Sequence, residues 1–234
     1  MLRFLSRIFR APIARLIFRP RIVGAGNVPR RGPVVLASNH LSFIDSVVIT
    51  LVAPRSVSFL AKASYFTGRG FRGALSRAFF TGVGAIPVER GGGQAAQDAL
   101  NKGLEVLGRG EAFSLYPEGT RSLDGRLYRG RTGAAWLALT AGAPVVPVAL
   151  TGTQRLQPVG SRRVHFARVT IEFGTPLDLA HHGSPQSGRA RRAATDEIMA
   201  AIQRMSGQTP AGIYNEPPAS VTERVKRLFH RERP

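Results

Sequence analysis

Short apolar runs recur along the chain, and between them lie stretches with helical period. Pro33–Ser38 (PVVLAS), Ser56–Lys62 (SVSFLAK), Ala85–Val88 (AIPV), Ala112–Tyr116 and Val145–Leu150 (VVPVAL) have the length and apolar content of buried strands. Helices are predicted over 43–52, Phe71–Phe80, Gln94–Leu107 (closed by Gly108) and Thr132–Ala141. Residues 164–173 supply one or two more strands, with Val169, Ile171 and Phe173 alternating. Gly91–Gly93 read as a flexible joint and 117–131 as a polar, Arg/Gly-rich loop. Strands alternating with helices predict an α/β fold with a largely parallel sheet flanked by helices.

The two ends have a different pattern. Over residues 2–18, Leu2, Leu5, Phe9, Ile13 and Leu16 fall within a sector of roughly 80° at about 100° per residue. Arg3, Arg7 and Arg10 cluster on another side, and Pro12 predicts a kink. An amphipathic helix lying in the headgroup layer of a membrane fits this pattern; a helix packed on the domain core is the alternative. Residues 181–192 are polar and basic, 193–205 look helical, and 206–219 read as a Gly/Pro-containing linker. Ser220–Arg231 reads as a basic helix or a disordered tail, with Ser220 and Glu223 at capping-box spacing. The expected organisation is therefore an interfacial helix over 1–20, a catalytic domain over 21–205, and a linker and basic helix or tail over 206–234.

Composition narrows the function classes. The 234 residues include 43% apolar types, which suits one α/β domain with a full core. The formal net charge of +19 predicts attraction to a polyanion, either an anionic bilayer or a nucleic acid. Lys62, Lys102 and Lys226 are the only lysines, so 30 of the 33 basic residues are arginine and a single Arg carries little weight. With no cysteine, disulfides, thiolate metal sites and a Cys nucleophile are excluded. No run of 18 apolar residues predicts a membrane-spanning helix, and no signal-peptide core is apparent. His181 and His182 are adjacent in a polar loop, and His165 and His230 are isolated; solvated or structural roles are expected, with no metal and no cofactor.

Two segments carry chemistry. Asn39-His40-Leu41-Ser42-Phe43-Ile44-Asp45 follows a predicted strand. If His40 and Asp45 were both helical, five residues would set them about 140° apart. They meet only if His40 lies in the loop and Asp45 in the first turn of the next helix, with Ser42 as N-cap. A plain Ser42/Asp45 capping box is the bland reading, and the two are compatible. Tyr116-Pro117-Glu118-Gly119-Thr120-Arg121-Ser122 also follows a predicted strand. Glu118 can accept from a hydroxyl, Gly119 permits a close backbone approach, and Arg121 can fork onto a phosphate. A surface turn with a Glu–Arg pair is the alternative. Both segments would lie beyond the carboxyl ends of strands, where ligands bind in open α/β sheets.

With Gly84–Arg90 (GAIPVER) and Val145–Leu150 (VVPVAL), these form four blocks, NHLSFID, GAIPVER, YPEGTRS and VVPVAL. In this order they resemble the glycerophospholipid acyltransferases, especially the 1-acylglycerol-3-phosphate acyltransferases. The resemblance covers about residues 30–155. It implies the glycerolipid acyltransferase-like fold and transfer of a fatty acyl group from acyl-CoA or acyl-carrier protein to the sn-2 hydroxyl of lysophosphatidate, giving phosphatidic acid. By matched position it implies His40 and Asp45 as the catalytic pair. Glu118, Gly119, Thr120 and Arg121 match the acceptor-binding block, Arg90 the basic residue of the second block, and Lys62 a lysine that helps hold phosphate. Tyr116 departs from the common phenylalanine. The implied partners are an anionic membrane surface, a lysophospholipid acceptor and an acyl thioester, at the cytoplasmic face of the cell membrane. The same chemistry on glycerol-3-phosphate, another lysophospholipid or a glycolipid is the nearest rival. A nucleic-acid-binding protein is the distant one, since the basic residues form no nucleic-acid module.

Overall fold

A computed structural model describes residues 20–89, 93–158, 161 and 163–216. The expected helices over 2–18 and 220–231, and Arg90, lie outside the described residues. Nine strands are described: β1 (Arg21–Val23), β2 (Val34–Ser38), β3 (Val57–Lys62), β4 (Ala85–Val88), β5 (Ala112–Leu115), β6 (Leu127–Arg129), β7 (Val145–Thr151), β8 (Thr170–Phe173) and β9 (Pro210–Tyr214). The helices are α1 (Asp45–Val52), α2 (Gly70–Gly82), α3 (Gly93–Gly108), α4 (Gly133–Ala141), α5 (Thr153–Leu156) and α6 (Gly188–Ser206).

Seven strands form one sheet in the order β1-β8-β7-β2-β5-β3-β4. The run from β7 to β4 is parallel, and β8 pairs antiparallel to β7 with β1 parallel to β8. The expected largely parallel α/β sheet is therefore present. Strand β2 sits between β5 and β7, and all five of its residues are buried. Its side chains divide by alternation, as a strand buried on both faces requires. Val34 and Leu36 join α1, β7 and β8 residues in one core cluster, whereas Val35 and Ala37 join residues of α3, α4 and α6 in the other. Helices thus cover both faces, and the carboxyl ends of β2, β5 and β3 open on one edge.

Several expectations shift. The helix after β2 begins at Asp45, not at residue 43, and Ser42 is not its N-cap; that position is Ile44, which makes no side-chain cap bond. The last long helix begins at Gly188 rather than 193, with the Ser187 hydroxyl accepting from the Ala190 N–H. Only 170–173 of the expected 164–173 stretch is strand. Residues 206–219, read as a linker, contain β9, which pairs with β6 inside the supposed 117–131 loop. The 21–205 unit therefore extends at least through the residues around Asn215. Gly and Pro content argues for a linker, but Pro210 is the first residue of β9 and Gly212, at φ 73°, lies between its paired residues where the register shifts, positions a short ribbon tolerates.

Candidate active site

Strand β2 ends at Ser38, and the ladder to β7 continues through a side chain. The Asn39 amide accepts from the Leu150 N–H at 2.8 Å and donates to the Leu150 carbonyl at 3.0 Å. Asn39 is wholly buried, so this mimicry of a backbone unit fixes where the chain leaves the sheet. His40 follows immediately, in the loop.

Asp45 opens α1, and its Oδ2 collects three bonds. It accepts from the Leu41 N–H at 2.6 Å and the Ser42 N–H at 2.8 Å, and it lies 2.9 Å from His40 Nδ1. Half of the expected capping box forms: the acid reaches back to the Ser42 N–H. Ser42 Oγ does not return the bond but donates to the Gln157 carbonyl at 2.8 Å. Asp45 therefore caps the turn and steers the imidazole with one oxygen. An oxygen that already accepts two backbone N–H groups is an acceptor, so the shared proton belongs to His40 Nδ1. Nε2 is then left with a free lone pair. The Asp45 side chain is fully buried, while that of His40 keeps 15% exposure, enough to meet a ligand.

The turn after β5 holds His40 from the other side. The Tyr116 ring stacks on the imidazole with centroids 3.7 Å apart and planes 8° from parallel. Its hydroxyl shares a 2.7 Å hydrogen bond with Ser46 Oγ on α1. Burial, and secondarily the charge of Asp45, push the Tyr116 phenol well above its ordinary value, so it stays neutral. Glu118 was expected at the acceptor; the structure places it beneath the site. It is fully buried, its Oε1 accepts from the His40 N–H at 3.0 Å, and its Oε2 accepts from the Tyr128 N–H at 3.0 Å. Burial pushes its carboxyl up to about 7, against these two backbone bonds. Gly119 has φ 77°, closing a turn in which its N–H donates to the Tyr116 carbonyl. The Ser122 N–H donates to the His40 carbonyl at 2.8 Å, tying the two turns together.

His40, Asp45, Glu118 and the Gly119–Arg121 backbone are thus brought together. The Arg121 guanidinium makes no hydrogen bond or ion pair with the described residues, so it is available to an anion. Lys62 is exposed at the end of β3, the strand beside β5, on the same carboxyl edge. Arg90 lies outside the described residues.

Three supports escaped the sequence reading. Gln208 accepts from Asn39 Nδ2 at 2.7 Å and donates to the Gly125 carbonyl at 2.7 Å. Asn215 donates to the Arg121 carbonyl at 3.0 Å. The Arg131 side chain lies over Gly119 and donates to the Asn215 carbonyl at 3.2 Å. The supposed linker therefore braces both turns. No local signal pointed to it, because these are bonds across about 90 to 170 residues. Elsewhere, His181 and His182, expected in solvated or structural roles, share a partner: Glu197 Oε2 lies 2.6 Å from His182 Nε2 and 3.3 Å from His181 Nε2.

Comparison with known proteins places this chain among relatives. A family model described as Acyltransferase matches residues 19–151. A chloroplastic 1-acyl-sn-glycerol-3-phosphate acyltransferase of Brassica napus is 32% identical over 75% of this chain and 52% of its own length. A protein of the same description from Saccharomyces cerevisiae is 33% identical over 82% of this chain and 62% of its own. The chain thus spans about half to three-fifths of these relatives' lengths. The crystal structure of the 1-acyl-sn-glycerophosphate (LPA) acyltransferase PlsC from Thermotoga maritima superposes with a TM-score of 0.61, covering 87% of this chain and 82% of that one at 21% identity.

Proposed function

Because the chain belongs to the acyltransferase family, we propose that it transfers a fatty acyl group from a thioester, acyl-CoA or acyl-carrier protein, to the sn-2 hydroxyl of 1-acylglycerol-3-phosphate. The observation that carries this reading is the His40 Nδ1 to Asp45 Oδ2 bond of 2.9 Å, which leaves Nε2 as the base. An alcohol attacks poorly at neutral pH unless its proton is removed as it attacks. His40 Nε2 takes that proton while the alkoxide oxygen bonds to the thioester carbonyl carbon. Asp45 stabilises the resulting imidazolium. The tetrahedral intermediate collapses by breaking the carbon–sulfur bond, and the imidazolium returns its proton to the leaving thiolate. No acyl-enzyme forms, so both substrates are bound together.

Arg121, Lys62 and Arg90 hold the acceptor phosphate in this reading. The relatives' descriptions and the free Arg121 guanidinium support a phosphorylated acceptor. In this reading the protein works at an anionic membrane surface on the cytoplasmic side; the +19 net charge and an acceptor that lives in the bilayer support the membrane surface. Among the described residues no helix is long and apolar enough to cross a membrane.

The test is product mass spectrometry after incubating the purified chain with oleoyl-CoA and a panel of lysolipids, glycerol-3-phosphate and a glycolipid. Phosphatidic acid as the main product is expected. Acylation confined to an acceptor without phosphate would overturn the acceptor assignment, and no acylation of any acceptor would overturn the activity.

A further inference from the structure

Helix α2 carries its large apolar side chains on the wrong side for a helix of a closed globule. Phe71, Leu75 and Phe79 recur every four residues, so they lie within a stripe about 80° wide. They are 83%, 61% and 43% exposed. The opposite side packs inward, with Gly73 and Phe80 buried. A Cβ on Gly73 would come 2.0 Å from the Gly68 carbonyl oxygen, a contact that only glycine allows. Ser76 Oγ donates to the Tyr65 carbonyl at 2.8 Å, and Arg77 donates to the Gly68 carbonyl. The inner face is therefore anchored to residues 65–68, and that anchoring turns the stripe outward. Single exposed apolar residues are ordinary, but a continuous stripe marks a binding surface.

Charge selects the occupant. Residues 1–88 contain thirteen basic side chains and one acidic one, Asp45, which is buried under His40. Arg69 precedes α2, and Arg72 lies about 20° beyond the Phe79 edge of the stripe. A second copy of a +19 chain, or this chain's own basic segment 2–18, would bring like charge to this face. An anionic lipid surface matches both halves of the pattern, apolar stripe and basic flank. The stripe also leads to the site. Phe79 packs edge-on against Phe80 at 5.3 Å, and Phe80 against Phe43 at 6.3 Å. Phe43 is three residues past His40 and is itself 38% exposed.

We propose that the outer face of α2 is a membrane-docking surface, with Phe71, Leu75 and Phe79 entering an anionic bilayer and Arg69 and Arg72 meeting lipid phosphates. Docked this way, the Phe79–Phe80–Phe43 contacts set the turn that carries His40 beside the lipid-facing side of α2. The purpose, though not the docking itself, rests on the acyltransfer reading above.

The experiment uses the full chain carrying Phe71→Trp, with Trp136→Phe removing the single native tryptophan. The probe is vesicles of phosphatidylcholine and phosphatidylglycerol in equal parts, with or without brominated acyl chains. Trp emission characteristic of water is expected before lipid, then a blue shift and bromine quenching on addition, both weaker with pure phosphatidylcholine. In a second full-length variant, Phe71→Ser with Leu75→Ser, vesicle binding should fall about tenfold. Its turnover of a short-chain, water-soluble acceptor should stay at the parent's level, which reports an intact fold. Emission already blue without lipid would mean that protein covers the stripe and would overturn the proposal. Water-like emission on vesicle-bound protein would overturn it too. If no acceptor is turned over by the parent, the acyltransfer reading fails, while the tryptophan emission still decides the docking.

Discussion

The turns after β2 and β5 meet over one imidazole, and they treat their acids in opposite ways. Asp45, in the first turn, turns one oxygen toward the His40 ring while that oxygen also closes the turn with two backbone bonds. Glu118, in the second, spends both oxygens on backbone N–H groups and faces no ring. Both carboxyls are fully buried. The difference teaches that burial and motif membership do not define a chemical role; the partner does. In the proposed mechanism the first turn carries the base, and the second fixes where it stands.

That contrast breaks most sharply at His40. His40→Ala should lower kcat by about 10²–10⁴ with the fold intact, measured by acyl-CoA consumption alongside circular dichroism. Retained turnover would remove His40 as base. Asp45→Asn should also lower kcat, by roughly 10²–10⁴, since an amide NH2 can replace the acceptor that sets the imidazole tautomer. Its KM for acyl-CoA should change little.

Glu118→Gln should act through stability rather than rate. Its amide NH2 would meet an N–H donor, at a cost of about 1–3 kcal/mol. The pH dependence sharpens this. The folded carboxyl sits at about 7 against an ordinary 4.5, so between those values the folded state holds a proton that the unfolded chain releases. Stability from this group is therefore highest below about 4.5, falls as pH rises to about 7, and is level above. The gap corresponds to a fall on the order of 3 kcal/mol. Glu118→Gln cannot titrate, so urea unfolding should show its deficit against the parent largest near pH 5 and smaller near pH 8. A deficit that grows with pH would contradict the assignment. The smallest effect is expected at Tyr116. Tyr116→Phe keeps the stack on His40 and loses only the Ser46 bond, for about 0.5–1.5 kcal/mol of stability. Tyr116→Leu should lower kcat further than Tyr116→Phe, because the ring then loses its platform.

The sheet was legible because strands β2, β3, β4, β5 and β7 are short apolar runs, most plainly β2 and β7, which are buried on both faces. The His40–Asp45 pair is what the four-block resemblance implies; helical geometry adds only the condition that His40 lie in a loop, and that loop runs on to Ile44, past the expected helix start at 43. What escaped was set by distance along the chain. Strand β9 contains Pro210 and Gly212, which locally argue for a linker, yet Gln208 and Asn215 brace the turns at Asn39 and Arg121. The role of Glu118 escaped for a related reason: a carboxylate in a conspicuous motif suggests a ligand, and only the positions of two amides, 78 and 10 residues away, say otherwise.

The account stands on the tautomer of one ring, and nitrogen-15 NMR of the histidine-labelled protein reads it directly at a pH where His40 is neutral. Nδ1 should be the protonated, pyrrole-like nitrogen and Nε2 the bare, pyridine-like one, with the Nδ1 proton signal lost in Asp45→Asn. A proton found on Nε2 in the parent protein would leave His40 with no lone pair toward the acceptor and would contradict the mechanism.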